Sequence, residues 1–178
     1  DQHARLNLRQ SLWKLRKECS QQLVCADNSH VWLCRENSYL VDIWEIEKAD
    51  FDSLTLSQLS ELLSLYKGEF LPGKRQEWVE IQRTYFEKIF CDGVEILLEQ
   101  CEEEENWHTM IRWAERWIAL DIVSEIPYRA LMKAHANLGD LANVRRVHGR
   151  CERDLEHALA MKPSNSTNNL YNTLVGLN

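Results

Sequence analysis

Few residues of this chain are arranged for covalent or metal chemistry, and His148 and Cys151 come nearest to it. At i and i+3 on one helix they could chelate an ion, but structural zinc takes four ligands and no second Cys/His pair supplies the rest. Both also fall on a predicted apolar stripe, which favours packing. The six histidines and 28 carboxylates form no paired acid and base. Neither a glycine-rich phosphate loop nor a nucleophile motif occurs. The sequence therefore predicts no enzyme activity, no cofactor and no metal site. Cys19, Cys25, Cys34, Cys91, Cys101 and Cys151 contain no CxxC pair, and a free Cys on an apolar face behaves as a small hydrophobe. That usage favours reduced thiols in a cytoplasmic setting. Cys25 and Cys34 flank a predicted hairpin turn, and a disulfide between them is the minority reading.

What remains is charge. The net charge is −7, yet residues 1–20 carry Arg5, Arg9, Lys14, Arg16 and Lys17 against Asp1 and Glu18, a balance of +3 that leaves −10 on the rest. Such a split suggests a nucleic-acid contact at one end. Ala4, Leu8, Leu12, Leu15 and Cys19 recur at helical spacing and predict a buried stripe. The basic residues lie mainly off it, on a face suited to phosphates, with Gln10 or Asn7 in reach of base edges. The plainer alternative is a solvated basic helix. A second charged set, Glu102 to Glu105, sits at a predicted helix C-terminus, where the helix dipole disfavours negative charge. It reads either as a solvated loop or as the acidic lip of a binding groove.

The elements that must position this second set form a repeat. The loop Glu104-Glu105-Asn106 is followed 34 residues later by Leu138-Gly139-Asp140. At that offset Val94 maps to Tyr128, Leu97 to Leu131, Leu98 to Met132 and Cys101 to His135. Beyond the loop, Met110 maps to Val144, Ala114 to His148 and Trp117 to Cys151. A period near 34 with helix, tight turn and helix resembles the tetratricopeptide (TPR) arrangement, in which hairpins bury their apolar faces by stacking. The resemblance places the first helix of each pair on the concave face. That implies a partner-binding groove with Glu95, Glu99, Glu102 and Glu103 on one wall and Arg129, Lys133 and Asn137 on the other; failing that groove, the aromatic cluster of Trp107, Trp113 and Trp117 is the next candidate surface.

Read in order, the chain offers strands at Gln22–Ala26 and His30–Cys34 around an Asp27-Asn28-Ser29 turn, then a third extended piece at Tyr39–Ile43. A helix capped at Thr55 or Ser57 runs through Leu56, Leu59, Leu62, Leu63 and Tyr66 to Gly68. The longest helix, Glu77 to Glu103, has a stripe of Trp78, Ile81, Tyr85, Ile89, Val94, Leu97 and Cys101, with Gly93 marking a kink or a close crossing. Asn106 and Ser124 cap the next two helices; Leu138, Leu141 and Leu159 join the predicted core, and Ser166 begins a last short helix. No run of eighteen apolar residues spans a membrane. The chain starts without Met, inside a helical pattern, and so reads as cut from something larger.

Several motifs point to one family. Leu65-Tyr66-Lys67-Gly68-Glu69-Phe70-Leu71 resembles the L-Y-x-G-x-f/l-L signature of the bacterial transcriptional activator domain, with Glu77-Trp78 and Gln82-Arg83 similar to its next helix start. Leu120-Asp121-Ile122-Val123-Ser124-Glu125, Arg129-Ala130-Leu131-Met132 and the Pro163 to Tyr171 tail resemble its later motifs. Upstream, Leu8 to Arg16 resembles the recognition helix of an OmpR-type winged helix, and Val31-Trp32-Leu33 its wing. The resemblance implies a mostly α fold, a TPR-like helical hairpin repeat domain at 44–178, preceded at 1–43 by the recognition helix and β-hairpin of a partial winged helix. It implies a transcription regulator, with promoter DNA contacted in the intact protein. The helical domain would mediate self-association, or contact with RNA polymerase or another regulatory protein. The alternative is an adaptor module of a larger signalling protein that never touches DNA.

Overall fold

The computed structural model describes residues 2–18, 23–27, 29–34, 40–120 and 123–176. The chain divides into two compact units, Asp1–Val41 and Asp42–Asn178. Of the described residues 71% are helical, and a two-stranded antiparallel hairpin lies near the N-terminus.

The first unit holds helix α1 (Gln2–Glu18) and strands β1 (Val24–Ala26) and β2 (Val31–Leu33). The strands pair Val24 with Leu33, Cys25 with Trp32 and Ala26 with Val31. Asp27 closes the turn, its Oδ1 accepting from the backbone N–H of Ser29 and of His30, both at 2.6 Å. Two expectations fail here. Leu8 and Leu15 of the supposed buried stripe are exposed, as are Leu6 and Trp13, and Leu12 is only half-buried; Cys19 lies outside the described residues. Amphipathic spacing creates a stripe but does not supply the element that would cover it. Cys25 and Cys34, expected as thiols, are joined in a disulfide across the hairpin with Cα atoms 5.3 Å apart.

The second unit begins with α2 (Asp42–Glu47), which absorbs the end of the third extended piece; Tyr39 lies outside the described residues. A 3₁₀ turn (Phe51–Ser53) leads to α3 (Leu56–Leu63). Thr55 caps α3 reciprocally with Gln58 in a capping box. The helix stops short of Tyr66, whose ring instead stacks on Phe90 with centroids 4.4 Å apart. Helix α4 spans Glu77–Glu103, about 40 Å at 1.5 Å per residue. Then come α5 (Trp107–Ala119), α6 (Ile126–Asn137), α7 (Leu141–Leu159) and α8 (Asn165–Val175). Successive helices from α3 to α8 pack on one another, and α8 also reaches back to α6.

The repeat is visible in the backbone itself. Glu105 N–H donates to Glu102 O and Asn106 N–H to Cys101 O, while 34 residues on Gly139 donates to Ala136 O and Asp140 to His135 O. Each pair of bonds is a Schellman turn, which satisfies carbonyls the helix leaves orphaned. The next cap repeats too: Asn106 accepts from Thr109 N–H and Asp140 from Asn143 N–H. Both turns need a left-handed residue, and the chain puts glutamate at one (Glu105, φ 53°) and glycine at the other (Gly139, φ 77°). A side chain there is strained. Glu105→Gly is accordingly expected to raise the unfolding free energy by roughly 0.5–1 kcal/mol, read as a higher denaturant midpoint; a midpoint that falls would mean the glutamate side chain contributes more than its backbone costs.

Of the superposed core positions all are buried except His135. The α4 stripe is misread at its N-terminal half. Trp78 (56%), Ile81 (60%) and Tyr85 (43%) are exposed, and Val79, Phe86 and Phe90 face the core in their place. Leu138, Leu141 and Leu159 are also exposed, since they sit at turns or helix ends with no helix over them. Gly93 marks a close crossing: a Cβ there would lie 2.8 Å from Leu63 Cδ2 and 3.0 Å from Phe51 Cε2. Ser124 does not cap α6 as expected; that position is Glu125, and Ser124 Oγ accepts from Ile126 N–H at 3.2 Å.

Candidate interaction surfaces

Helices α4 and α6 are the first arms of the two repeats, and they bound a cleft of about 150 Å³. Glu95, Glu99 and Glu102 stand along α4, and Arg129 and Lys133 lie one turn apart on α6. Leu98, Met110, Ile126 and Ala130 line it between them. The apolar positions that bury each helix against its neighbours thus turn the intervening charged positions into facing walls. Lys133 Nζ bonds both carboxylate oxygens of Glu102, at 2.8 and 2.7 Å. Glu95 is half-buried and Glu99 exposed, and neither makes a hydrogen bond or ion pair among the described residues.

Arg129 is committed away from the acidic wall. Its Nη1 donates to Thr167 Oγ1 of α8 at 3.3 Å. The neighbouring Glu125 accepts from Ser164 N–H and Oγ–H at 3.0 and 2.8 Å. Burial works to raise the Glu125 carboxyl, but bonds from Thr167 and Ser164, with the Arg129 guanidinium nearby, together hold it below the ordinary carboxylate value. Glu103 and Asn137 do not line the cleft. Glu103 points to solvent, and exposed Asn137 donates back to Lys133 O at 2.9 Å. The alternative aromatic surface is also corrected: Trp113 and Trp117 are buried in the core, and Trp107 is half-buried.

On α1, Arg5, Arg9, Gln10, Lys14, Arg16 and Lys17 are all exposed. At helical spacing they separate into two sets. Gln10, Lys14 and Lys17 stand opposite the apolar stripe, whereas Arg5, Arg9 and Arg16 run along its edge. Arg16 Nη2 also donates to Val24 O of β1 at 3.4 Å, and Lys17 lies over the Trp13 ring, 5.1 Å from its centroid.

Two arginines carry more structure than their sequence positions suggest. Arg83 is only 12% exposed; its Nε donates to Phe70 O at 2.8 Å and its Nη2 to Leu71 O at 2.7 Å, while Nη1 meets Glu69 and Glu80. It fastens the turn in which Leu71 takes φ 48°. Arg116 donates to Tyr66 O at 2.6 Å and lies 4.7 Å from the Trp113 ring centroid; burial lowers its pKa. Their partners are backbone carbonyls, which leave no residue-type signature. The only clue was the Leu65 to Leu71 segment, a non-helical stretch with carbonyls to satisfy.

Stacked helical hairpins with a 34-residue period, duplicated Schellman turns and a charged cleft between first arms define a TPR-like helical domain. Residues 47–175 match the family model described as the bacterial transcriptional activator domain, and the chain belongs to that family. The family is a regulatory one, associated with transcriptional activators. No curated protein matches the chain. No helix among the described residues is long and apolar enough to cross a membrane.

Proposed function

We propose that this chain belongs to a transcription regulator whose helical domain, residues 44–178, supplies a surface for self-association or for RNA polymerase or another regulatory protein. The α4–α6 cleft is the observation that carries this reading. It sets Glu95 and Glu99, both without partners among the described residues, on one wall of a groove whose other wall holds Arg129, bonded to Thr167, and Lys133, bonded to Glu102. Mixed charge of this kind fixes register and on-rate more than raw affinity. Glu95→Lys with Glu99→Lys should therefore separate binding from folding. Glu99 is exposed, and half-buried Glu95 makes no hydrogen bond or ion pair among the described residues, so each reversal removes about 0–1 kcal/mol. The melting temperature should hardly move while activation or partner capture by the full-length protein is abolished. Normal activity in the reversed protein would remove the cleft from the reading. Arg129→Glu is a poor probe, because it breaks the Thr167 bond and sets a carboxylate beside Glu125.

In the intact protein, residues 1–43 act as the recognition helix and wing, with α1 against promoter DNA. Lys14, opposite the stripe and free of the hairpin, makes a phosphate contact. Lys14→Ala should weaken binding about equally for all sequences and reduce the salt slope by about 1. An unchanged slope would favour the adaptor reading without DNA. That reading has one observation behind it, since the family match starts at residue 47 and leaves α1 out.

A further inference from the structure

We infer that Cys25 and Cys34 form a reversible redox-modification site, taking dithiol reductants as its substrate class, and that opening the bond releases the β-hairpin. The bond joins the middle of β1 to the residue after β2. The ladder it closes is three residue pairs long, and an isolated hairpin of that size is marginal in water. Little burial supports it, because Val31, Trp32 and Leu33 are all exposed. Apart from the bond and the short ladder, the described residues hold the hairpin through the Asp27 turn, one hydrogen bond from Cys34 N–H to Leu23 O at 2.9 Å and the long bond from Arg16 to Val24 O.

The other described cysteines are poor competitors. Cys91, Cys101 and Cys151 sit in α4 and α7; burial first, and neighbouring carboxylates second, push their thiols up to about 12, 11 and 12. Thiol exchange runs through the thiolate, so these three thiols exchange poorly, whereas Cys25 and Cys34 are already placed within bonding distance of each other. Cys25 is half-buried and Cys34 only 4% exposed, which makes Cys25 the sulfur to attack. The reductant's thiolate bonds to Cys25 Sγ, the Cys25–Cys34 bond breaks, and Cys34 leaves as a thiolate that takes up a proton. The reductant's second thiol then displaces Cys25. Two electrons have passed to the pair, and the reductant ends as a disulfide. Hydrogen peroxide reverses the step: one thiolate attacks a peroxide oxygen, the O–O bond breaks, and a sulfenic acid forms as hydroxide leaves and takes up a proton. The other thiol then condenses with the sulfenic acid, releasing water.

The test uses the whole chain and does not depend on DNA or on a partner. After peroxide treatment, maleimide labelling with mass spectrometry should leave Cys25 and Cys34 unmodified; after dithiothreitol both should label. Hydrogen-exchange protection of the Cys34 and Asp27 amides should fall by about 100-fold on reduction, the loop-closure effect of a ring this small, while α4 amides stay unchanged. Cys25→Ser with Cys34→Ser should show the reduced pattern under both conditions, and Cys91→Ser should respond like the parent. Equal protection in the two states, or maleimide on both cysteines after peroxide, would overturn the inference.

Discussion

Leu97→Ala and Leu131→Ala are each expected to lower the unfolding free energy by about 2–5 kcal/mol, the range for deleting a fully buried leucine. Both side chains are 0% exposed, and they occupy the same position of successive hairpins. Because each repeat packs on its neighbour, neither site has an outer surface through which the cavity can collapse. Urea midpoints should fall for both variants with the slope unchanged, since the exposed surface on unfolding is nearly the same. Leu138→Ala supplies the contrast: 43% exposed at the turn, it should cost under about 0.5 kcal/mol. Midpoints that move equally little for all three would refute the repeat as the organiser of the core.

Arg83→Met is expected to cost about 2–3 kcal/mol, and to do so locally. The variant keeps the apolar stem and removes the guanidinium, leaving the Phe70 carbonyl without its donor and the Leu71 carbonyl with the Lys74 N–H alone. Hydrogen bonds from charged donors contribute about 1.5–3 kcal/mol each, not additively. The ion pairs to Glu69 and Glu80 add little, because both carboxylates are largely exposed. Arg83→Lys should rescue poorly, since one ammonium cannot span two carbonyls as the planar fork does. Limited proteolysis between residues 69 and 74 should accelerate in both variants. A turn that resists cleavage as well as the parent would show that Leu71 is held by something other than Arg83.

What could be read from the residues differs between the two halves of α4. Its bounds and its C-terminal core were legible, because Val94, Leu97 and Leu98 recur one period later in α6 as Tyr128, Leu131 and Met132. Its N-terminal half carries two apolar stripes, Trp78/Ile81/Tyr85 and Val79/Phe86/Phe90, and periodicity cannot choose between them. The choice is made by Tyr66 stacked on Phe90 and Phe70 tilted on Phe86, contacts from a non-helical segment. That Glu95, Glu99, Glu102, Arg129 and Lys133 line one cleft followed from the resemblance to TPR hairpins, which puts first arms side by side. Glu103 and Asn137 lie one turn beyond Glu99 and Lys133 and fall outside the cleft lining. The disulfide was judged from compartment alone, whereas strand register decides which sulfurs meet.

The matched turns at Glu105 and Gly139 have a consequence for how the chain can grow. A copy of residues 106–139 spliced in after Gly139 would begin with an Asn cap entering from a Schellman turn and end with one feeding Asp140. Every junction would reproduce a backbone already present, so the array can lengthen by whole hairpins without a new kind of joint. Length would then be a free variable of this architecture, with α8, whose Tyr171 stacks on His148 with centroids 4.1 Å apart, closing the last hairpin whatever the number before it.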